Sequence, residues 1–197
     1  MSGERWNSNL HAFEKLLECI PPGAMRGLDA GCGEGESARR LRRRVPSVVG
    51  LDADALSIEH ARRGGDDIDY LVGDLLTGDV AEDSFDVVSA VAVLHHLDHR
   101  LALQQLSRLL RPGGVLLVVG LARSRSVADF TRDAIDSVAF RRHSLFRGVW
   151  ETSSPKVWPP PLTYAGARQA SMEALPGVRF NRVTFFRYAL TWTRPAG

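Results

Sequence analysis

This chain of 197 residues has few cysteines and no long apolar runs. Its two cysteines, Cys19 and Cys32, match neither the spacing of a zinc site nor a disulfide framework, so we expect reduced thiols and a cytoplasmic protein. No stretch approaches the roughly 20 apolar residues that cross a bilayer, and the polar first residues do not resemble a secretory peptide. The sequence therefore predicts neither export nor a membrane partner.

Lysine is scarce as well, because Lys15 and Lys156 are the two lysines among 25 basic residues, and the net charge is only +2. The dense basic run is residues 39–44, which contains five arginines. Such a run is more typical of a solvated helix face than of a surface that meets a nucleic-acid backbone. We therefore expect no nucleic-acid partner.

Strand-like and helical patterns alternate along the chain. Strands are predicted at 26–30, 47–52, 68–73, 85–91 and 114–120, with helices near 35–44, 54–63 and 99–110. The strands are apolar almost throughout, which is expected where helices cover both faces of a parallel sheet. Right-handed crossovers then favour an α/β fold with an open, doubly wound, mostly parallel sheet. Two aromatic-rich runs near the end predict an antiparallel hairpin, for about seven strands in all.

The length suits a single domain over residues 1–197. Within it we predict an N-terminal helical cap over 1–24 and a ligand-binding core over 25–120. A variable insert or lid follows over 121–177, where the strand–helix rhythm is lost, and terminal strands occupy 178–197. Long irregular insertions late in an α/β domain are commonly lids or specificity elements.

The most informative segment is MRGLDAGCGEG, residues 25–35. A run that can end a buried strand is followed at once by Asp29 and by glycines at alternate positions, Gly31, Gly33 and Gly35. Glycine accepts backbone angles that side chains forbid and lets a ligand press against bare peptide. This pattern predicts a loop wrapped around a polar ligand.

Three further polar features are predicted at the carboxyl ends of neighbouring strands. Asp52 closes SVVGLD about twenty residues after Gly31, the spacing at which an acid in a nucleotide-binding unit reaches ribose hydroxyls. Asp74 follows the next strand, and His95 and His96 follow the strand after that. Together with the glycine turn, these residues predict a nucleoside pocket.

The nucleoside is expected to lack phosphates. A nicotinamide or flavin dinucleotide favours G-x-G-x-x-G, and Glu36 stands here where the third glycine belongs. Acids on both sides of Gly35 would repel a pyrophosphate, and a P-loop pattern is absent. A dinucleotide oxidoreductase is therefore disfavoured.

These motifs resemble those of the class I S-adenosylmethionine-dependent methyltransferases, and LDAGCGEG is similar to the family's first motif. The resemblance covers residues 8–120 well and implies a Rossmann-like fold, with S-adenosylmethionine as cofactor and S-adenosylhomocysteine as product. It implies that the following residues bind the cofactor: Asp29, Gly31, Gly33, Asp52, Ala53, Asp74, Leu75 and Ala90. In that scheme Asp29 fixes the loop, Asp52 holds the ribose and Asp74 receives the adenine amino group.

A sulfonium methyl group is already a good electrophile, so transfer mainly requires that the nucleophile, carbon and sulfur are aligned. An acceptor hydroxyl or acidic carbon also needs a base, and His95 and His96 are the candidate catalytic residues. The same Leu-His-His-Leu sequence is common in this family loop, where it can serve packing alone. We also predict that Trp6, His11, Trp158 and Tyr164 line the acceptor pocket.

The acceptor is expected to be a small molecule, with a role in secondary metabolism as one option. Nucleic-acid methyltransferases usually carry an acid or Asn, two prolines and an aromatic residue after the fourth strand, whereas AVAVLHHL stands here. A non-catalytic S-adenosylmethionine-binding partner protein and an RNA or DNA methyltransferase stay open as alternatives. Asp98 alone does not make a metal site, so no metal is predicted. A monomer or a homodimer is expected.

Overall fold

The computed structural model describes residues 6–78, 80–147, 150 and 157–196. Its main elements, in chain order, are α1 (Ser8–Leu16), β1 (Arg26–Ala30), α2 (Glu36–Arg42), β2 (Ser47–Asp52), α3 (Ala55–Arg62), β3 (Asp69–Val72), β4 (Phe85–Val91), α4 (His99–Leu109), β5 (Leu110–Leu121), α5 (Val127–Arg147), α6 (Tyr164–Ala174), β6 (Arg179–Val183) and β7 (Arg187–Thr193). Short 3-10 turns at Leu17–Cys19 and Leu94–His96 extend α1 and precede α4.

The seven strands form one sheet in the order β3-β2-β1-β4-β5-β7-β6. Strands β1 to β5 run parallel, and β7 runs antiparallel to both β5 and β6. The chain moves outward from β1 to β3 and then returns to the other side of β1 with β4. In such sheets the ligand binds beyond the carboxyl ends of the strands at this reversal.

Alternating side chains divide the core into two layers. On β4, Val88 and Ala90 face the layer that α4 and α6 cover, whereas Val87 faces the layer that α1, α2 and α3 cover. All three side chains are fully buried. Because apolar side chains leave both faces of the central strands, helices must shield both faces from water.

The predicted fold class is confirmed, and the predicted limits of β1, β2 and β4 match the observed ones. β5 begins at Leu110, earlier than predicted, because Leu110 still pairs with Phe85 before the register shifts. The terminal hairpin is antiparallel as predicted, with β7 inserted between β5 and β6. α5 spans Val127–Arg147, within the segment predicted as a variable insert.

Candidate functional site

A cavity of about 630 Å³ lies beyond the carboxyl ends of β1, β2 and β4. The residues predicted for the site that line it are Gly31, Gly33, Asp52, Ala53, Asp74, Leu75, His95, His96 and Trp158. The topology therefore brings together side chains that are far apart in the sequence. Because these residues line the same cavity, each of them lies where a ligand in the cavity could contact it. Their individual roles in binding stay predictions.

The glycine turn is held against the end of β2. The backbone N–H groups of Gly31 and Cys32 both donate to the carbonyl of Leu51, at 2.7 and 3.0 Å. Gly31 has φ +72°, and a Cβ added there would lie 2.3 Å from Cγ2 of Val93. A side chain at position 31 would thus be strained and would also collide with the loop after β4.

Asp52 connects the end of β2 to the glycine turn. Its Oδ2 accepts a hydrogen bond from Gly33 N at 2.7 Å, and its Oδ1 accepts one from Asp54 N at 2.9 Å. Each oxygen retains lone pairs that a ligand hydroxyl can use. The position is therefore compatible with the assigned ribose contact.

Asp29, which is predicted to fix the loop, is not among the residues that line the cavity. It is fully buried beneath the turn, where Oδ2 accepts from Ser37 Oγ at 2.6 Å and Oδ1 accepts from Ser89 Oγ at 2.8 Å. Burial raises its pKa to about 6, against the opposing effect of the two serine hydrogen bonds, and the charge of Asp52 raises it further. Asp29 thus joins β1 to α2 and β4 below the site.

Asp74 and Leu75 lie on the β3 side of the cavity. Asp74 is exposed, and its Oδ1 accepts from Leu76 N at 2.6 Å and from Thr77 N at 3.2 Å. Neither of these hydrogen bonds uses Oδ2. The neighbouring Leu75 is buried and contributes an apolar wall. A carboxylate beside an apolar surface is compatible with the amino group and the ring of an adenine.

Ala90 is fully buried in the layer beneath α4 and is not among the residues that line the cavity, so its contact with the cofactor stays a prediction. The wall at the end of β4 consists instead of Val91, Ala92 and Val93. Ala92 has φ +59°, a left-handed conformation that is uncommon for a residue other than glycine, and its N–H donates to Val119 O at 2.7 Å. The strand thus ends in a turn that presents the next residues to the cavity.

His95 and His96 lie side by side, with ring centroids 4.0 Å apart. Nδ1 of His95 is buried and has no hydrogen-bond partner in the described part of the chain. Burial lowers the pKa of His95 to about 4, and the nearby His96 and Arg187 lower it further because they disfavour a second positive charge. The His95 imidazole is therefore neutral near neutral pH.

The aromatic residues predicted for the acceptor pocket divide into two groups. Trp158 lines the cavity and is 75% exposed. Trp6, His11 and Tyr164 do not line it. The Trp6 and His11 rings contact the Phe185 ring at centroid distances of 5.8 and 5.3 Å.

Tyr164 is buried at the start of α6, where the guanidinium carbon of Arg182 lies 4.1 Å from the centre of its ring. Ring packing and a cation–π contact therefore account for three of the four aromatic positions.

Several lining residues were not predicted from the sequence. They include Asn7, Leu10, Val93, Leu121 and Arg187. Asn7 also caps α1, since its side chain accepts a hydrogen bond from Leu10 N at 2.8 Å. An Asn before a helical run indicates the start of a helix, but it does not indicate a ligand site. Arg187 has no sequence signal, because it reaches the cavity only through the insertion of β7 beside β5.

Metal-ligating clusters and membrane-spanning helices are both absent from the described part of the chain. No group of three or more His, Cys, Asp or Glu side chains there could hold a metal ion. No helix in these residues has the length and apolar character needed to span a bilayer.

Similarity to known proteins identifies the family. Residues 28–118 match the family described as a methyltransferase domain. An uncharacterized methyltransferase of Mycobacterium tuberculosis (strain ATCC 25618 / H37Rv) is 37% identical over 194 residues, which cover 96% of this chain and 98% of the relative. The chain belongs to the class I S-adenosylmethionine-dependent methyltransferases. The family membership that the motifs indicate is thus confirmed.

Two solved structures also resemble the methyltransferase. A chain in the complex between the Haloferax volcanii Trm112 methyltransferase activator and a methyltransferase aligns with a TM-score of 0.67 and 20% identity, covering 100% of this chain and 92% of that one. That likeness shows the fold alone. CalS10 from Micromonospora echinaspora, an amino pentose methyltransferase of calicheamicin biosynthesis solved with S-adenosylmethionine, aligns with a TM-score of 0.51 and 29% identity. The match covers 59% of this chain and 51% of CalS10.

The cavity fits the cofactor of this family, S-adenosylmethionine. Gly31 leaves bare backbone beside the ligand space, and even a single added carbon at this position would collide with Val93. Carboxylates dominate the charge of the lining, with Glu34, Glu36, Asp52, Asp54 and Asp74 on the side of β1 to β3. Such a wall favours a sulfonium and an ammonium group and disfavours a pyrophosphate.

Proposed function

We propose that this methyltransferase transfers the methyl group of S-adenosylmethionine to a small-molecule acceptor. The observation that carries the proposal is one continuous cavity, which is lined by Asp52 at the end of β2, by Trp158 and by Arg187 at the start of β7. Its volume of about 630 Å³ falls in the range of small-molecule sites. A nucleic acid would need a wider basic surface at this opening.

The protein's part in the reaction is alignment. When bound, S-adenosylmethionine supplies a methyl group on positively charged sulfur, which is an electrophile without further activation. We assign Gly33 and Asp52 to the cofactor's polar groups and Asp74 with Leu75 to its adenine. Val93 and the end of β4 then limit where the acceptor can lie. Holding both reactants in one enclosed space converts a bimolecular step into an effectively unimolecular one.

His95 is the proposed proton acceptor where the nucleophile carries a proton. It lines the cavity, and its buried Nδ1 makes no hydrogen bond to any residue that the structure describes. The lowered pKa keeps the imidazole neutral, so that it is able to accept a proton, but it also makes His95 a weak base. An acceptor that is already ionised would need no base at all.

A role in secondary metabolism is the narrower form of the proposal. CalS10, which matches over about half of its own length, acts on an amino pentose in calicheamicin biosynthesis. We also propose the cytoplasm as the compartment, since Cys19 and Cys32 are both free thiols in this structure.

The test follows a labelled methyl group. The protein is incubated with methyl-labelled S-adenosylmethionine and a metabolite library, or with total RNA in a parallel arm. We expect label in small organic products, strongly reduced in Asp52→Asn and unchanged in Asp69→Asn, which removes an exposed acid of β3 outside the cavity. Transfer to RNA alone would contradict the small-molecule proposal, and cofactor binding without any transfer would support the non-catalytic alternative.

A further inference from the structure

Arg187 stands out among the residues that line the cavity. It begins β7 and pairs with Leu121, the last residue of β5, so that its side chain lies at the edge where the parallel strands end. It is the sole arginine or lysine among the described lining residues. The cavity thus has one fixed positive charge, on the side opposite the acids of β2 and β3.

The hydrogen bonds of Arg187 do not neutralise its charge. Nε donates to Oδ1 of Asn9, and Nη1 donates to the carbonyls of Phe185 at 3.2 Å and Phe186 at 3.3 Å. All three acceptors are uncharged, none of these bonds uses Nη2, and no carboxylate of the described chain forms an ion pair with Arg187. Phe185 and Phe186 have φ of 64° and 63°, so a turn of two left-handed residues places their carbonyls at the guanidinium.

Arg182, a few residues earlier, shows the usual arrangement. It is mostly buried and forms ion pairs with Asp129 at 2.9 Å and Asp133 at 2.5 Å. Arg187 is partly buried, has no such partner among the described residues, and its desolvation lowers its pKa to about 10. A buried charge without a countercharge is costly, and a hydrophobic residue would avoid that cost. Its presence in a cavity wall therefore indicates a ligand that supplies the negative charge.

The place of Arg187 in the sheet separates it from the glycine turn. β7 lies three strands from β1, by way of β4 and β5, which corresponds to a lateral distance of about 14 Å. His95, at the end of β4, lies between the two, and its pKa responds to the charge of Arg187. Arg187 thus lies on the far side of His95 from the glycine turn that we assign to the cofactor.

We propose that Arg187 binds the carboxylate of an anionic acceptor in this cavity. The inference rests on the proposed function, and it narrows the acceptor to organic acids. Nη2 forms none of the hydrogen bonds above and can donate to a carboxylate oxygen, and the single charge of the guanidinium balances a single negative charge. A doubly charged phosphate fits less well, because no second lysine or arginine lines the described cavity and five carboxylates do.

The test uses acids paired with their neutral amides: acetate with acetamide, benzoate with benzamide, and hexanoate with hexanamide. Each is titrated into protein saturated with S-adenosylhomocysteine, and binding is followed by calorimetry. We expect at least one acid to bind at least about tenfold more tightly than its amide. Arg187→Gln should lower the affinity for that acid by about tenfold or more. Arg179→Gln, which removes an exposed arginine of β6, should bind like the wild type.

Three results would overturn the proposal. The first is that no acid binds more tightly than its amide, and the second is that Arg187→Gln binds the acid as tightly as the wild type does. The third is that Arg187→Gln loses as much affinity for S-adenosylhomocysteine as for the acid, which would assign the arginine to the cofactor's own carboxylate. If the Gln variant does not fold by circular dichroism, Arg187→Lys takes its place. It keeps the charge but not the guanidinium Nη2 donor, and unchanged acid affinity would likewise overturn the proposal. Failure of the wild type to bind S-adenosylhomocysteine would instead refute the proposed function.

Discussion

Oδ2 of Asp52 accepts a hydrogen bond from the backbone N–H of Gly33 at 2.7 Å, while Oδ1 of the same carboxylate accepts from Asp54 N at 2.9 Å. The acid assigned to the ribose therefore also holds the glycine turn against the end of β2. One side chain sets both the shape of the loop and the charge that faces the ligand. Loop geometry and ligand affinity should thus change together when it is replaced.

Asp52→Asn tests this coupling. An amide has one acceptor oxygen, so its NH₂ group must face one of the two backbone N–H donors, and the charge is lost as well. We expect S-adenosylhomocysteine affinity to fall by about 1.5–3 kcal/mol, the usual contribution of hydrogen bonds to a charged group. Calorimetry measures the loss, with Asp69→Asn as the matched control. Equal affinities in the two variants would contradict the ribose assignment.

Gly31→Ala tests the close approach of the turn to Val93. The new methyl would lie 2.3 Å from Cγ2 of Val93 at φ +72°, so we expect a loss of unfolding free energy of about 2 kcal/mol or more. Urea denaturation measures it. Gly113→Ala is the control for backbone strain alone, since φ there is +82° and no atom of the described residues lies within 4 Å of the added Cβ.

Adding Val93→Ala to Gly31→Ala removes the side chain that the new methyl meets. The double variant should therefore recover part of the lost stability, and the remaining deficit should approach that of Gly113→Ala. If Gly31→Ala were as mild as Gly113→Ala from the start, the predicted contact with Val93 would be wrong.

Asp29→Asn tests the buried acid beneath the turn. Burial raises the pKa of Asp29 from 3.8 to about 6, so between these values the native protein keeps a proton that the unfolded chain has lost. The free energy of unfolding therefore falls as pH rises through this interval, by roughly 3 kcal/mol for a shift of about two pH units. Urea denaturation of the wild type and of Asp29→Asn across the interval isolates this contribution.

The wild type should lose stability relative to Asp29→Asn as the pH rises, because the Asn side chain does not titrate. Other titrating groups act equally in both proteins and cancel in the difference. A difference that stays constant with pH would show that Asp29 is ionised in the native state down to its ordinary range.

Arg187→Gln tests the electrostatic interaction between Arg187 and His95. The charge of Arg187 contributes to the low pKa of His95, which lies at about 4, so its removal should raise that pKa. Titration of the His95 ring protons by NMR, assigned with His95→Gln, measures the change. Arg179→Gln should leave the value as it is, and an unchanged value in Arg187→Gln would place the two groups too far apart to interact.

Much of the fold could be predicted from local patterns. Buried parallel strands carry apolar residues on both faces, so β1, β2 and β4 stand out as short apolar runs between helical segments. Because the carboxyl ends of parallel strands lie at one edge of the sheet, the sequence alone predicts that Asp52 and the glycine turn lie close together. Chain topology converts sequence spacing into spatial proximity for these residues.

The predictions that differ from the structure concern which way a side chain faces. Ala90 and Val91 are adjacent on β4, yet Ala90 faces the core layer and Val91 faces the cavity. In an almost wholly apolar strand, no alternation of polar and apolar residues shows which side chains face the core and which face the cavity. Trp6 and Tyr164 illustrate the same limit for aromatic residues, because a large apolar ring suits a core and a pocket wall equally well.

Arg187 could not be predicted for a different reason. Its place depends on β7 crossing back between β5 and β6, and on a turn at Phe185 and Phe186 that local sequence does not indicate. Nothing in TFFRYAL distinguishes this arginine from those on the surface. The assembled sheet shows that it reaches the cavity without a countercharge from any described residue.

Calorimetric titration of the wild-type protein with S-adenosylhomocysteine, with NAD in a parallel experiment, tests the cofactor assignment most directly. We expect saturable heat for S-adenosylhomocysteine with a single ligand per chain, and none for NAD, since the carboxylates around the glycine turn oppose a pyrophosphate. Absence of binding to S-adenosylhomocysteine and S-adenosylmethionine, together with saturation of the cavity by NAD, would contradict the assignment.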